Sequence, residues 1–343
     1  MIGKNGILYS YPSLYQAMDT EILVIGGGIT GSLISHALME DGYKVMLIDK
    51  RDIAMGSISA TTSMLQYEID TLMYKLCEMI RETGAAECYQ GGIDAILDLG
   101  VLVKSNKIDC GFKLQESLYI AHDRQSSIWL RKEFEIRDKY NLGVKWLNGA
   151  EVKRKFGVIC HGAILSETAA SVDAYKLAHK LIHRNKRKSI QVYDQTEIDR
   201  IETSGKRPKA FLKTGQTVTA NHIICCTGFE STLLLKEKVV DLYYTYATVS
   251  EQGIKLNKHV QNTLIWDTGE PYTYMRSTDD GRFLVGGEDS SFNFQFFQQK
   301  TKERKADKLI KKFNHFLPEI EFIEDFSWAG TFGTTKDGLP TLE

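Results

Sequence analysis

A chain of 343 residues exceeds what one hydrophobic core usually serves, which points to two domains. Its 43 basic and 44 acidic side chains leave a formal charge of −1, which speaks against nucleic acid or an anionic membrane and leaves a small molecule as the default partner. No apolar run reaches bilayer-spanning length, and the first twenty residues lack a basic start followed by an apolar core, so a soluble, unprocessed protein is expected.

The first element is "EILVI" (21–25), a continuous apolar run of the kind found in strands covered on both faces of a parallel sheet. Gly26, Gly28 and Gly31 follow in G-x-G-x-x-G spacing, with Ile29 and Thr30 between the last two. "SLISHALMEDG" then carries a helical stripe at Leu33, Ile34, Ala37 and Leu38. A second apolar run, "KVMLI", ends in Asp49, 21 residues after Gly28, with Lys50 next to it. In this pattern Gly26 permits a tight turn, Gly28 admits a pyrophosphate close to the backbone, and Gly31 lets helix and strand pack closely. The helix N-terminus offers N–H groups to phosphate, and Asp49 suits ribose hydroxyls while repelling a 2′-phosphate. A dinucleotide site is expected, with NADP disfavoured. The loop alone leaves NAD and FAD open.

The next stretch, "KRDIAMGSISATTSMLQYEID", is rich in hydroxyls at Ser57, Ser59, Thr61, Thr62 and Ser63. It can line further phosphate and ribityl oxygens, or simply cap a helix running through "MLQYEIDTLMYKL". From these residues onward the chain resembles the FAD-dependent oxidoreductases of the D-amino-acid oxidase, glycine oxidase and sarcosine oxidase type. The resemblance rests on the loop 26–31, Asp49, "GSISATTSMLQ" (with Met64), "AASVDAYKLAHKLI", "IQVYDQTEIDRIE" and "NHIICCTGFES". It implies FAD as cofactor, a backbone contact to adenine at Ile198, and a return of the chain beneath the cofactor at Thr227-Gly228.

The fold class that follows is α/β: a Rossmann-type FAD-binding domain with a parallel sheet, and an α+β substrate domain with a mostly antiparallel sheet. The expected FAD-binding domain is discontinuous, combining 15–76, 151–235 and 328–343. The substrate domain then combines 77–150, including a strand at "FKLQESLYIA", with 236–327.

In the second substrate stretch, aromatic residues alternate around "DDG", a hairpin expected to turn at Asp280-Gly281. Tyr272, Tyr274 and Arg276 share one face at period two. Arg276 can grip a substrate carboxylate with its planar fork, and the tyrosines supply hydroxyls on rigid rings. The trio is therefore the catalytic candidate, against a reading as ordinary half-buried sheet residues with Arg276 paired to an acid. Arg282, Tyr244 and Tyr246 are secondary candidates for the lining.

The basic run "KTKERKADKLIKKFNHF" has an apolar stripe at Leu309, Ile310, Phe313 and Phe316, so its lysines read as a solvated helix side. His179 and His183 lack a third ligand, and no metal is expected. Cys77, Cys88, Cys110, Cys160, Cys225 and Cys226 form no C-x-x-C pair and read as reduced core thiols in a cytoplasmic protein.

The resemblance implies oxidation of an amine or amino acid: a hydride passes from the substrate α-carbon to flavin N5, and water hydrolyses the imine. Oxygen or an electron carrier then reoxidises the flavin. A flavin-dependent 2-hydroxy-acid dehydrogenase could use the same Arg and Tyr residues, and an NAD-dependent dehydrogenase is a further alternative. "WAGTFGTTKDGLP" is similar to the start of the family's last flavin-binding segment, of which the remainder is expected to be missing beyond Glu343. A silent FAD-binding remnant is the alternative that this motivates.

Overall fold

The computed structural model describes residues 5–233, 235, 237–291 and 299–340. In chain order the first elements are β1 (Met18–Ile25), α1 (Ile29–Glu40), β2 (Val45–Ile48), a 3-10 turn at Ser57–Ala60 and β3 (Met64–Gln66). Next come α2 (Met73–Ile80), α3 (Glu82–Ser105), β4 (Lys113–Ile120), α4 (Arg124–Lys139), β5 (Val144–Leu147), α5 (Gly149–Phe156) and β6 (Ala163–Ser171). They are followed by α6 (Ala174–Lys186), β7 (Gln191–Tyr193), β8 (Ile198–Glu202), β9 (Lys209–Leu212), β10 (Thr217–Cys225) and a 3-10 turn at Gly228–Leu233. The last group is β11 (Asp241–Ser250), α7 (Lys258–Gln261), β12 (Thr263–Asp267), β13 (Thr273–Ser277), β14 (Phe283–Ser291), α8 (Gln299–Phe316) and β15 (Glu324–Thr334).

The chain divides into two compact units. The first comprises 1–61, 106–110 and 173–238. Its six-stranded sheet has the order β7-β2-β1-β10-β9-β8, parallel from β7 to β10 and antiparallel through β9 and β8. Successive residues of β1 enter different cores. Ile22 and Val24 pack with Met39 of α1 and with Tyr175, Ala178 and Ile182 of α6, whereas Leu23 and Ile25 pack with Met46, Ile48, Val218 and Ala220. Burial on both faces is why this strand is continuously apolar.

The second unit comprises 62–105, 111–172 and 239–343. Its nine-stranded sheet runs β15-β11-β14-β13-β12-β4-β6-β3, with β5 also paired to β6. Among the described residues only the β12–β4 pairing is parallel. The apolar stripe of α8 packs on this sheet: Leu309, Phe313 and Phe316 join Tyr244, Tyr246, Phe283 and Val285 in one core.

The sheet pairings move the expected domain boundaries. Residues 62–76, 151–172 and 328–340 were expected with the FAD-binding part, but β3 and β6 pair with each other and β15 pairs with β11, placing all three stretches in the second unit. "MLQYEIDTLMYKL" is likewise not one helix, since Met64–Gln66 is a strand edge and the helix begins at Met73.

Two smaller expectations change. The α8 lysines are not merely solvated: Lys305, Lys308 and Lys312 lie 3.5, 3.3 and 3.0 Å from the carboxylate of Glu288, which is only 5% exposed. Cys225, the last residue of β10, is exposed rather than a core thiol. His183 is a packing residue, stacked on Tyr9 with ring centroids 3.9 Å apart. No helix among the described residues is long and apolar enough to cross a membrane.

Candidate functional site

In the first unit the glycine loop leaves β1 and enters α1. Gly26 has φ +109°, and a Cβ there would meet the Cys226 carbonyl oxygen at 2.3 Å. A Cβ at Gly31 would meet the Gly26 carbonyl oxygen at 1.8 Å. Both glycines are demanded by the fold itself. Gly28 differs, because a Cβ there meets nothing within 4 Å. It sits at the N-cap of α1, where no side chain caps the helix and no acid occupies the first turn. The first-turn N–H groups, including those of Ile29 and Thr30, thus face an open approach of the kind that suits a pyrophosphate.

Asp49 follows β2. Its Oδ2 accepts the Gly27 N–H at 2.7 Å and its Oδ1 accepts the Arg51 N–H at 2.8 Å. A carboxylate has roughly four lone-pair positions, so acceptor capacity remains for two ribose hydroxyls. Burial pushes its pKa up, and the two backbone N–H bonds oppose that rise. Beside it the chain returns from β7, with the Thr196 N–H donating to the Asp49 carbonyl at 2.8 Å. The backbone therefore meets the acid two residues before Ile198, which opens β8 and packs with the core around Leu212.

The register Ile25↔Cys225 brings the end of β10 beside the glycine loop. Thr227 Oγ1 is buried with no hydrogen-bond partner among the described residues. Gly228 has φ +60° and open space where a Cβ would stand. Glu230, in the turn that follows, receives Lys50 at 2.6 Å and Arg51 at 2.5 Å. Burial alone would raise the Glu230 pKa, but the two cations hold it below its ordinary value. Lys50 is consequently committed to a protein carboxylate. An open N-cap, an acid with spare lone pairs and an orphaned buried hydroxyl together fit an adenine dinucleotide. Ser57 and Ser59 lie on the 3-10 turn, where Ser59 Oγ donates to the Gly56 carbonyl at 2.8 Å, and Thr61 follows that turn.

Thr62, Ser63 and Met64 belong to the second unit. The Thr62 carbonyl accepts Arg276 Nε at 2.7 Å, and the Ser277 carbonyl accepts Arg276 Nη1 at 2.9 Å. Arg276, 8% exposed, is thus engaged by two backbone carbonyls. Ser63 has φ +56°, and Met64 pairs with Ser171.

The hairpin turns where expected, with Gly281 at φ +79° and β13 and β14 antiparallel. The rings of Tyr272 and Tyr274 lie 6.0 Å apart, and Trp266 meets Tyr272 edge-on at 6.5 Å. The Tyr272 hydroxyl donates to Asp70 Oδ1 at 3.3 Å, and the hydroxyls of Tyr274 and Thr245 are 3.2 Å apart. Asp289, on β14, completes the cluster. Its Oδ1 is buried without a hydrogen-bond partner among the described residues. Burial, opposed by a hydrogen bond from Thr245 and reinforced by the nearby Asp70, pushes the Asp289 carboxyl up to about 6. Burial raises Asp70 as well, opposed by its bond from Tyr272, and raises Tyr274 to about 12.

The secondary candidates lie elsewhere. Tyr244 and Tyr246 are each 2% exposed and belong to the α8 core, because Thr245 between them occupies the opposite face of β11. Arg282 is bound to Asp280, to Asp325 and to the Ser250 carbonyl. Asp70, Asp289 and Thr245 were missed by sequence reasoning. The available signal for Asp289 was a charged pair, "ED", ending the apolar strand "FLVGG".

Comparison with known proteins places this geometry. The family model described as "DAO: FAD dependent oxidoreductase" matches residues 21–343. The chain is 24% identical, over 65% of its length, to a putative Rieske 2Fe-2S iron-sulfur protein, YhfW, of Bacillus subtilis (strain 168), of which it spans 43%. It is 25% identical, over 94% of its length, to the glycine oxidase of the same organism, of which it spans 83%. Among solved structures, the glycine oxidase of Geobacillus kaustophilus superposes with a TM-score of 0.77 at 18% identity, covering 95% of this chain and 86% of that one.

Proposed function

This chain belongs to the DAO family of FAD-dependent oxidoreductases, and from that premise we propose that it oxidises the carbon–nitrogen bond of a cationic amine. FAD is the family's cofactor, and when bound it supplies the acceptor for two electrons and the hydrogen of the substrate α-carbon. The first-turn N–H groups of α1 and Gly28 would hold the pyrophosphate, Asp49 the ribose, and Thr227 Oγ1 a further polar atom of the cofactor. The hydroxyl stretch from Ser57 to Ser63 and the Ile198 backbone remain proposed contacts.

Similarity to glycine oxidase supports amine chemistry, and the cluster around Tyr272 and Tyr274 supports the substrate class. Two aspartates and two phenols form a surface that attracts an ammonium group and stacks on its carbon substituents. Asp70 and Asp289 would repel a substrate carboxylate, and Arg276 commits N–H groups at Nε and Nη1 to the Thr62 and Ser277 carbonyls. The expected role of Arg276 accordingly becomes a positioning one, fixing the strand that carries Tyr274.

Asp289 has a second task. An amine yields hydride from its α-carbon only as the free base, so the arriving ammonium must first lose a proton. A carboxylate whose pKa is pushed up to about 6 is ionised at neutral pH and a better proton acceptor than an ordinary aspartate. Tyr272 and Tyr274 stay protonated, and orient the nitrogen as hydrogen-bond donors or acceptors. The carrying observation is Asp289 Oδ1, buried and without a protein donor among the described residues.

The test is anaerobic mixing of the FAD-loaded protein with matched compounds: alkyl and aralkyl amines, glycine and other amino acids, and 2-hydroxy acids. Flavin bleaching by amines in preference to their α-carboxylated counterparts is the expected result. Bleaching by hydroxy acids alone would transfer the chain to the alcohol-oxidising branch of the family.

A further inference from the structure

α1 and α6 pack side by side in the first unit, and the C-terminal part of α6 and the segment 106–109 line a groove of about 530 Å³. Five basic side chains line it, Lys107, Lys180, Arg184, Arg187 and Lys188, against one carboxylate, Asp109. We propose that this groove is a second anion site of the protein, taking a small soluble polyphosphate-class anion.

The groove lies away from the glycine loop. Lys188 donates to Glu40, the last residue of α1, at 2.6 Å, whereas Gly28 caps the first turn of that helix. The 12 residues of α1 separate the two ends by about 18 Å. A dinucleotide on the loop therefore leaves the groove free.

Basic residues in the last turn of a helix complement its dipole, which explains His183, Arg184 and Lys186 without a ligand. It does not explain Lys107, which arrives on the separate segment 106–110. Nor does it explain the Lys180 ammonium, which bonds both the carbonyl and the carboxylate of Asp109 and so fixes that wall of the groove. Lys180 and Lys188 have acidic partners, whereas Lys107, Arg184 and Arg187 have no ion-pair partner among the described residues. Arg184 also acts electrostatically on Glu40, but five basic side chains from two separate segments around one carboxylate suit an anion with several charges. The volume matches small-molecule sites, about 300–1,000 Å³, and exceeds what one orthophosphate fills.

The test is calorimetric titration of the FAD-loaded full chain, whose dinucleotide site is already filled, with orthophosphate, pyrophosphate and tripolyphosphate. One saturable site is expected, tightening along that series. The double variant Lys107→Gln/Arg187→Gln should weaken tripolyphosphate at least tenfold while FAD content and Tm stay at wild-type values. Lys311→Gln, on the exposed side of α8, should leave binding unchanged. Absence of saturable heat, equal weakening by Lys311→Gln, or binding to phosphatidylglycerol vesicles without binding to free tripolyphosphate would each overturn the assignment.

Discussion

Tyr274 packs closely against Gly286: the two are cross-strand partners, and a methyl group on Gly286 would stand 2.2 Å from the phenol ring. The adjacent Gly287, at φ +132°, would strike the Tyr272 carbonyl oxygen at 2.3 Å if it carried a Cβ. This glycine pair lets both tyrosines pack closely over β14.

Gly286→Ala should therefore displace the Tyr274 ring, which cannot bend away as a flexible chain would. A destabilisation of about 1–3 kcal/mol is expected from overpacking. The more specific readout is kinetic: kcat/KM for the best amine should fall at least tenfold with FAD content retained. Unchanged kinetics would remove Tyr274 from the substrate surface.

Asp289→Asn gives a pH signature. The wild-type carboxylate should lose its proton-accepting form as pH falls through about 6, so kcat/KM should decline on the acid side there. The variant should lack that limb and bind the amine more weakly. Stability should move the opposite way. Because the folded pKa lies above the unfolded one, the contribution of Asp289 is complete below about pH 4, and it is lost as pH rises to about 6. Asp289→Asn should thus raise Tm at pH 7.5, by the equivalent of at most about 3 kcal/mol, and not at pH 4. Thermal melts across that range check the sign.

Gly28→Val and Gly31→Val should part company. At Gly28 the added side chain enters open space, so the apo protein should keep its Tm while FAD affinity drops at least a hundredfold. At Gly31 the Cβ collides with the Gly26 carbonyl, so folding itself should fail. Fluorescence titration with FAD and a melt of the apo form separate the two cases.

Glu133 and Arg137, both 0% exposed, hold the second unit from inside. Arg137 Nε donates to Glu133 at 2.7 Å, while Glu133 receives the N–H groups of Met73 and Tyr74 at 3.0 and 3.1 Å, capping α2. Glu133→Ala leaves the buried guanidinium with only the longer contact to Glu68, at 3.4 Å, and uncaps α2, for which a loss of about 3 kcal/mol is expected in urea unfolding. The FAD affinity of any protein that remains folded should be unaltered.

The nucleotide loop was readable because strand, glycines, helix and acid are neighbours along the chain and obey short periodic rules. The tyrosine pair was readable for the same reason. Asp70 was not, since it lies 202 residues from the Tyr272 hydroxyl that it accepts, and only the sheet brings them together. Asp289 also needed the β13–β14 register to reveal its neighbours. Residues 62–76 and 151–172 read plausibly with the flavin part because that assignment followed chain proximity. Their strands pair across a hundred residues into the other sheet. Arg276 shows the reverse limit: its placement was anticipated, but its bond to the Thr62 carbonyl depends on a loop more than 200 residues earlier.

The parallel pairing Ile25↔Cys225 carries a consequence for biosynthesis. β1 sits in the middle of its sheet, and one of its flanking neighbours emerges from the ribosome some 200 residues after it. At roughly 5–20 residues per second, that delay is about 10–40 s. During this interval an apolar strand waits with one edge unpaired. Capture by a chaperone, or by another nascent chain, should be most probable before β10 is translated, and a pause placed just ahead of Thr217 should lower the yield of folded protein.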